Sequence, residues 1–71
     1  MNIYAYPGSK VIMDSPNAGH PADQDIVRQH GLAVGAVYTV ERTIVGDFYT
    51  SVFLREFPGI AFNSVHFRDV E

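Results

Sequence analysis

Residues 36–56 read AVYTVERTIVGDFYTSVFLRE. Two runs rich in β-branched and aromatic residues flank Gly46-Asp47, the composition of two strands joined by a tight turn. On the first run, Ala36 to Val45, the residues Tyr38, Val40 and Ile44 share one face, while Val37, Thr39, Glu41 and Thr43 share the other. Arg42 interrupts the inner face, so either its stem reaches outward or the strand bends there. On the returning run, Phe48 to Glu56, Val52 and Leu54 alternate with Ser51, Phe53 and Arg55, which directs Phe53 outward if Val52 and Leu54 face in. Gly46 suits the first position of a two-residue hairpin loop, where φ is positive.

Reading outward from this hairpin gives the rest of the fold. Pro58-Gly59 has the order of a type II turn, followed by a short fourth strand, Ile60 to Phe62. Asn63-Ser64-Val65 suits one 3₁₀ turn, and His66-Phe67-Arg68 reads as a last strand closing against the first. That first strand is Lys10-Val11-Ile12-Met13, ended by the turn formers of Asp14 to Gly19. Pro21 to His30 reads as a helix. Pro21 fits the first helical position, Asp23 and Asp25 lie early and Arg28 and His30 late, as the helix dipole favours, and Gly31 follows as a left-handed cap. The expected fold is all-β: a small SH3-like five-stranded barrel with one short helix in the first long loop. Residues 1–9 form an N-terminal arm and residues 10–71 the single barrel domain.

The 71-residue length allows one domain, and a hydrophobic fraction of 46% is enough for a core rather than a disordered chain. Such a core leaves about 3–5 kcal/mol of net stability. The chain has no cysteine, which excludes disulfides, thiolate nucleophiles and cysteine-based zinc sites. The longest nearly uncharged stretch, Gly31 to Val40, is too short to span a bilayer, and Met1 to Lys10 lacks the pattern of a signal peptide. A soluble cytoplasmic protein is expected. Five basic residues against eight acidic ones, a formal net charge of −3, argue against a general nucleic-acid binder.

An ordered series of motifs carries a family resemblance. It consists of Lys10-Val11-Ile12; Gly31-Leu32 with Val34-Gly35 and Val37-Tyr38-Thr39-Val40; Val52-Phe53-Leu54 with Glu56-Phe57-Pro58-Gly59; and Phe62-Asn63-Ser64-Val65 with Phe67. The series, over residues 10–70, resembles a group of small proteins encoded by bacteriophages and prophages. The resemblance implies an SH3-like fold and carries no agreed activity. The arm and the helix at 21–30 fall outside the shared pattern.

No catalytic constellation, metal site or cofactor motif stands out. His20, His30 and His66, even with Asp14 or Asp23, match no compact ligand spacing. Ser9, Ser15, Ser51 and Ser64 lie in no nucleophile elbow. Glu41, Asp47 and Glu56 flank the hairpin and read as solvated positions rather than as an acid–base pair. The aromatic residues are more informative. Tyr38, Phe62 and Phe67 read as core, whereas Phe53, Phe48 and Tyr49 on the hairpin and Tyr4 and Tyr6 on the arm read as exposed. Together with Arg55 they have the makings of a partner-binding surface. The arm folding back over Phe53 would instead cover that surface within one chain.

The expected function is therefore non-catalytic binding of a protein partner through Tyr4, Tyr6, Phe48, Tyr49, Phe53 and Arg55. With the phage resemblance, that partner is a host or phage protein, and the class implies occupation of a host machine such as a defence complex. Self-association through the same patch or an edge strand is a variant. A nucleic-acid module using Lys10, Arg42, Arg55 and Arg68, with Tyr49 or Phe53 stacking on bases, is one alternative. A structural phage component is another.

Overall fold

The computed structural model describes residues 5–70. Its elements run β1 (Lys10–Met13), α1 (Pro21–His30), β2 (Val37–Val45), β3 (Thr50–Leu54), β4 (Ala61–Asn63), a 3₁₀ turn (Ser64–His66) and β5 (Phe67–Asp69). The strands form one antiparallel sheet in the order β4-β3-β2-β1-β5. The last strand pairs beside the first, as the sequence predicts, with Ile12 opposite Arg68 and Met13 opposite Phe67. The expected closure into a barrel is not formed. β4 and β5 lie at opposite edges of the sheet, and among the described residues they do not pair. Each is only three residues long, and the 3₁₀ turn occupies the chain between them.

The core is built from the inward residues of every strand. Val11, Met13, Tyr38, Val40, Val52, Leu54, Phe62 and Phe67 are buried and packed as one cluster with Val27 and Leu32. The helix supplies Val27, and its end supplies Leu32. Gly31 adopts the left-handed conformation, φ 68° and ψ 34°. The Gly31 N–H donates to Arg28 O and the Leu32 N–H to Val27 O, at 3.2 and 3.3 Å. This is a Schellman cap, and it drops Leu32 into the core beside Val27. At the other end of the helix, the Asp23 carboxylate accepts from the His20 backbone N–H at 3.0 Å and from the Asn63 side chain at 3.1 Å. Asn63 Oδ1 in turn accepts from the Val65 N–H and caps the 3₁₀ turn. One buried amide thus fastens the start of α1 to the end of β4.

Two turns differ from the sequence reading. Val45 pairs with Thr50, and the Gly46 N–H donates to Tyr49 O at 3.0 Å, so the hairpin tip is Asp47-Phe48 rather than Gly46-Asp47. Gly46 has no positive φ; it is needed because a Cβ there would lie 2.7 Å from Tyr49 O. The arm is also not simply extended. The Ser9 N–H donates to Tyr6 O across Pro7-Gly8, with Gly8 at φ 93°, a type II arrangement. The Pro58-Gly59 turn forms as expected, with Gly59 at φ 79°.

His66, read as a strand residue, ends the 3₁₀ turn and is fully buried. Its Nδ1 lies 2.9 Å from the Ser15 carbonyl, so that nitrogen carries the proton and donates. Its backbone carbonyl accepts from the Asp14 and Ser15 N–H groups. The loop after β1 is thereby pinned to the corner before β5.

Tyr38 tests the placement of the core. Its ring is buried and its hydroxyl accepts from the Ala33 N–H at 3.0 Å. Tyr38→Ala should cost about 3–5 kcal/mol, comparable with the whole stability of a domain this small, and leave the chain largely unfolded at 25 °C. Tyr38→Phe should stay folded and lose about 1 kcal/mol. Urea denaturation checks both; a Tyr38→Ala loss below about 1 kcal/mol would place the ring outside the core.

Candidate interaction surface

Strand β2 does not keep one register along β3. Val40 faces Leu54, but Arg42 faces Phe53, so β2 spends two residues where β3 spends one. The extra residue is a β-bulge at Glu41, and it exchanges the faces of everything beyond it. Before the bulge, Tyr38 and Val40 point inward. Beyond it, Thr43 lies opposite buried Val52, while Arg42 and Ile44 turn outward. The sequence-based placement of Ile44 on the inner face is corrected: the residue is 47% exposed.

The outer face of the hairpin is thereby assembled from both strands. Tyr49, Ser51 and Phe53 lie along one side, opposite Gly46, Ile44 and Arg42 respectively. Phe53 does face outward, and the Arg42 guanidinium lies 4.1 Å from its ring centroid. This stack accounts for its half-buried state. Gly46 offers no side chain against Tyr49, which stays 54% exposed. Phe48, at the tip, is 97% exposed.

At its far end the face meets the arm. β3 stops at Leu54 in a turn closed by the Phe57 N–H on Leu54 O at 3.2 Å. Arg55 is exposed there, its guanidinium 3.7 Å from where a Cβ on Gly8 would stand. Gly8 and Ser9 bracket Val40, through bonds of 2.7 and 2.8 Å. The Glu56 carboxylate reaches back to accept from the Thr39 N–H at 2.9 and 3.2 Å, the place of a strand carbonyl had β3 continued. Lys10 Nζ donates to Thr39 Oγ1. The three side chains form one network, and Thr39 is buried beneath it.

Of the six residues expected to bind a partner, Phe48, Tyr49, Phe53 and Arg55 fall along this hairpin. Tyr6 does not join them. It is 82% exposed and lines, with Ala5, Ser9, Lys10, Asp69 and Val70, an open groove of about 450 Å³ beside the β1–β5 pair. Tyr4 lies outside the described residues. Ile44 is the member that the sequence reading left out of the surface, and Arg42 enters it there only in the nucleic-acid alternative. Arg42 in phase with Tyr38 and Val40 requires either an outward-reaching stem or a bend in the strand, and the register shift between Val40 and Arg42 is that bend. His20 precedes the helix, His30 sits edge-on to Phe57 and Phe62, and His66 is in the core. Among the described residues, no three potential metal ligands gather, and no helix is long and apolar enough to cross a membrane.

Burial alone would raise the Glu56 pKa, but the bonds from Thr39 and the nearby Lys10 charge outweigh it and hold the carboxyl below its ordinary 4.5. Its stabilising contribution is therefore complete above that value and is lost as pH falls through the lower, folded pKa. Glu56→Gln should be less stable than the parent at pH 7, and the difference should close as pH falls through and below the carboxylate range. Urea midpoints across pH 2–7 read this directly; a gap that persists or widens in acid would contradict it.

A small, mainly β protein with one helix and an exposed hairpin is what the geometry defines. A protein-family model described as bacteriophage T4 protein Y07B matches residues 2–71, and the chain belongs to that bacteriophage family. The match runs through the arm and the helix, the two segments that lie outside the motif series. No curated protein and no solved structure matches the chain.

Proposed function

We propose that this phage protein is a non-catalytic interaction module whose β2–β3 hairpin docks on a protein partner. One observation carries the reading: at the hairpin end of the molecule Ile44 and Tyr49 on the outer face, Phe48 at the tip and Val45 on the reverse face are each about half exposed or more. Exposed apolar groups gathered in one place go with partner surfaces, and aromatic residues beside arginine are the usual energetic centres of such surfaces. The partner is a host or phage protein, and occupation of a host machine, such as a defence complex, is the form that fits a phage accessory protein of this size. The strand order, with the last strand beside the first and a 3₁₀ turn before it, supports reading the scaffold as an opened SH3-like sheet. Nucleic acid is the weaker reading, because Arg28 pairs with Asp25, Arg68 with Asp14, and Lys10 is held by Thr39.

The test is capture from bacterial lysate with tagged parent protein and with the double variant Phe48→Ser/Tyr49→Ser, each with and without nuclease. A stoichiometric protein should remain after nuclease treatment and be lost with the double variant. Loss of two such anchors should weaken binding about 30-fold or more. A partner retained equally by the variant, or released by nuclease, would contradict the reading. Capture of a second copy alone would identify the partner as the chain itself.

A further inference from the structure

The end of the hairpin is apolar on more than one side, and this constrains the shape of whatever covers it. β1 pairs with β2 only as far as Thr39, and the bonds from Gly8 and Ser9 reach Val40. β4 pairs with β3 between Phe53 and Ser51. From Ile44 to Thr50 the described residues place no third strand alongside, and the hairpin projects as a two-stranded ribbon. Ile44 and Tyr49 stand half exposed on its outer face, and Phe48 stands fully exposed at its end. Val45, in phase with Thr43 and opposite Thr50, stands half exposed on the reverse face. A flat partner surface covers one face of such a ribbon and leaves the other in water. Covering all four side chains takes two walls and a floor.

We propose that the β2–β3 tip enters a narrow apolar cleft of a partner protein, with a cationic group of that protein at the floor to meet Asp47. The proposal rests on the interaction-module reading and names the form and charge of the partner's site. Asp47 lies beside Phe48 in the two-residue tip, is exposed, and has no ion pair among the described residues. Inside a cleft its carboxylate leaves water, and a buried carboxylate is stable only against an opposite charge or hydrogen-bond donors. Lipid would also enclose the tip, but its hydrocarbon offers the carboxylate no partner. A chain of net charge −3 is moreover repelled by an anionic leaflet. A second copy of the chain fits no better. Its open groove beside β1 and β5 is lined by Asp69 as well as Lys10, and Lys10 is already held by Thr39.

The test is photo-crosslinking of the full chain in bacterial lysate, with p-benzoyl-L-phenylalanine replacing Val45 in one protein and Ile44 in another. Both positions, on opposite faces of the ribbon, should crosslink to one and the same protein. In the otherwise unaltered chain, Val45→Thr sets a hydroxyl against the apolar wall and should weaken capture of that protein about tenfold. Asp47→Asn, which removes the charge and keeps the shape, should weaken it about tenfold as well. Urea midpoints equal to the parent's show that both variants are folded. Crosslinks from Ile44 alone, capture undiminished by Val45→Thr, or capture as tight with Asp47→Asn would overturn the proposal. Each of these leaves the docking reading standing so long as the captured protein is lost with Phe48→Ser/Tyr49→Ser. Cosedimentation with vesicles of phosphatidylethanolamine and phosphatidylglycerol, abolished by Phe48→Ser, would overturn the proposal in favour of lipid. A lysate that yields no crosslinked or captured protein overturns both readings.

Discussion

Between Val40 and Arg42, strand β2 carries one residue more than the strand it pairs with, and most of what distinguishes this molecule depends on that mismatch. In an unbroken strand, Arg42 and Ile44 would follow Tyr38 and Val40 into the core. An unpaired guanidinium there would cost several kcal/mol, about as much as a domain of this size has to lose. The bulge at Glu41 removes the conflict by reversing the phase. Val40 stays fully buried, Thr43 takes the inward place opposite Val52, and Arg42 lies on the outer side of Phe53. One local irregularity therefore protects the core and creates the outer face.

The core on the other side is closed by polar contacts at its corners rather than by a continuous ring of strands. Asn63 holds Asp23 at the start of the helix, and the same carboxylate explains Gly19: at φ 80°, a Cβ there would meet Asp23 Oδ2 at 2.8 Å. His66 holds Ser15 on the opposite edge. Phe62 and Phe57 meet each other and His30 edge-on, so the helix lies over the aromatic end of the core. These corners let a sheet with two open edges enclose a core, while the β2–β3 hairpin keeps its outer face exposed.

Much of this was legible in the residues. β1 and α1 have the bounds that Lys10-Val11-Ile12-Met13 and the Pro21-to-Gly31 punctuation predict, because apolar runs and cap residues are local signals. The inward placement of Tyr38, Phe62 and Phe67 also follows from alternation. Closure was not legible, since pairing between two three-residue strands depends on how the whole sheet curls. Nor was the hairpin tip, where the steric conflict between a Gly46 side chain and Tyr49 O decides the geometry and not the sign of φ. The surface was half visible: alternation on β3 placed Phe53 and Arg55 outward, but strict alternation on β2 sent Ile44 inward. Tyr6 is exposed, as its place on the arm predicts, but beyond the turn at Pro7-Gly8 it lines the groove beside β1 and β5 rather than the hairpin.

The most direct test of the bulge is the cross-strand pattern in a nuclear Overhauser spectrum of the ¹³C,¹⁵N-labelled protein. The structure predicts a strong Hα–Hα contact between Thr43 and Val52, together with upfield-shifted Arg42 side-chain protons over the Phe53 ring. An Hα–Hα contact between Arg42 and Val52, with Arg42 at ordinary shifts, would mean an unbulged strand and would contradict both the core and the outer face described above.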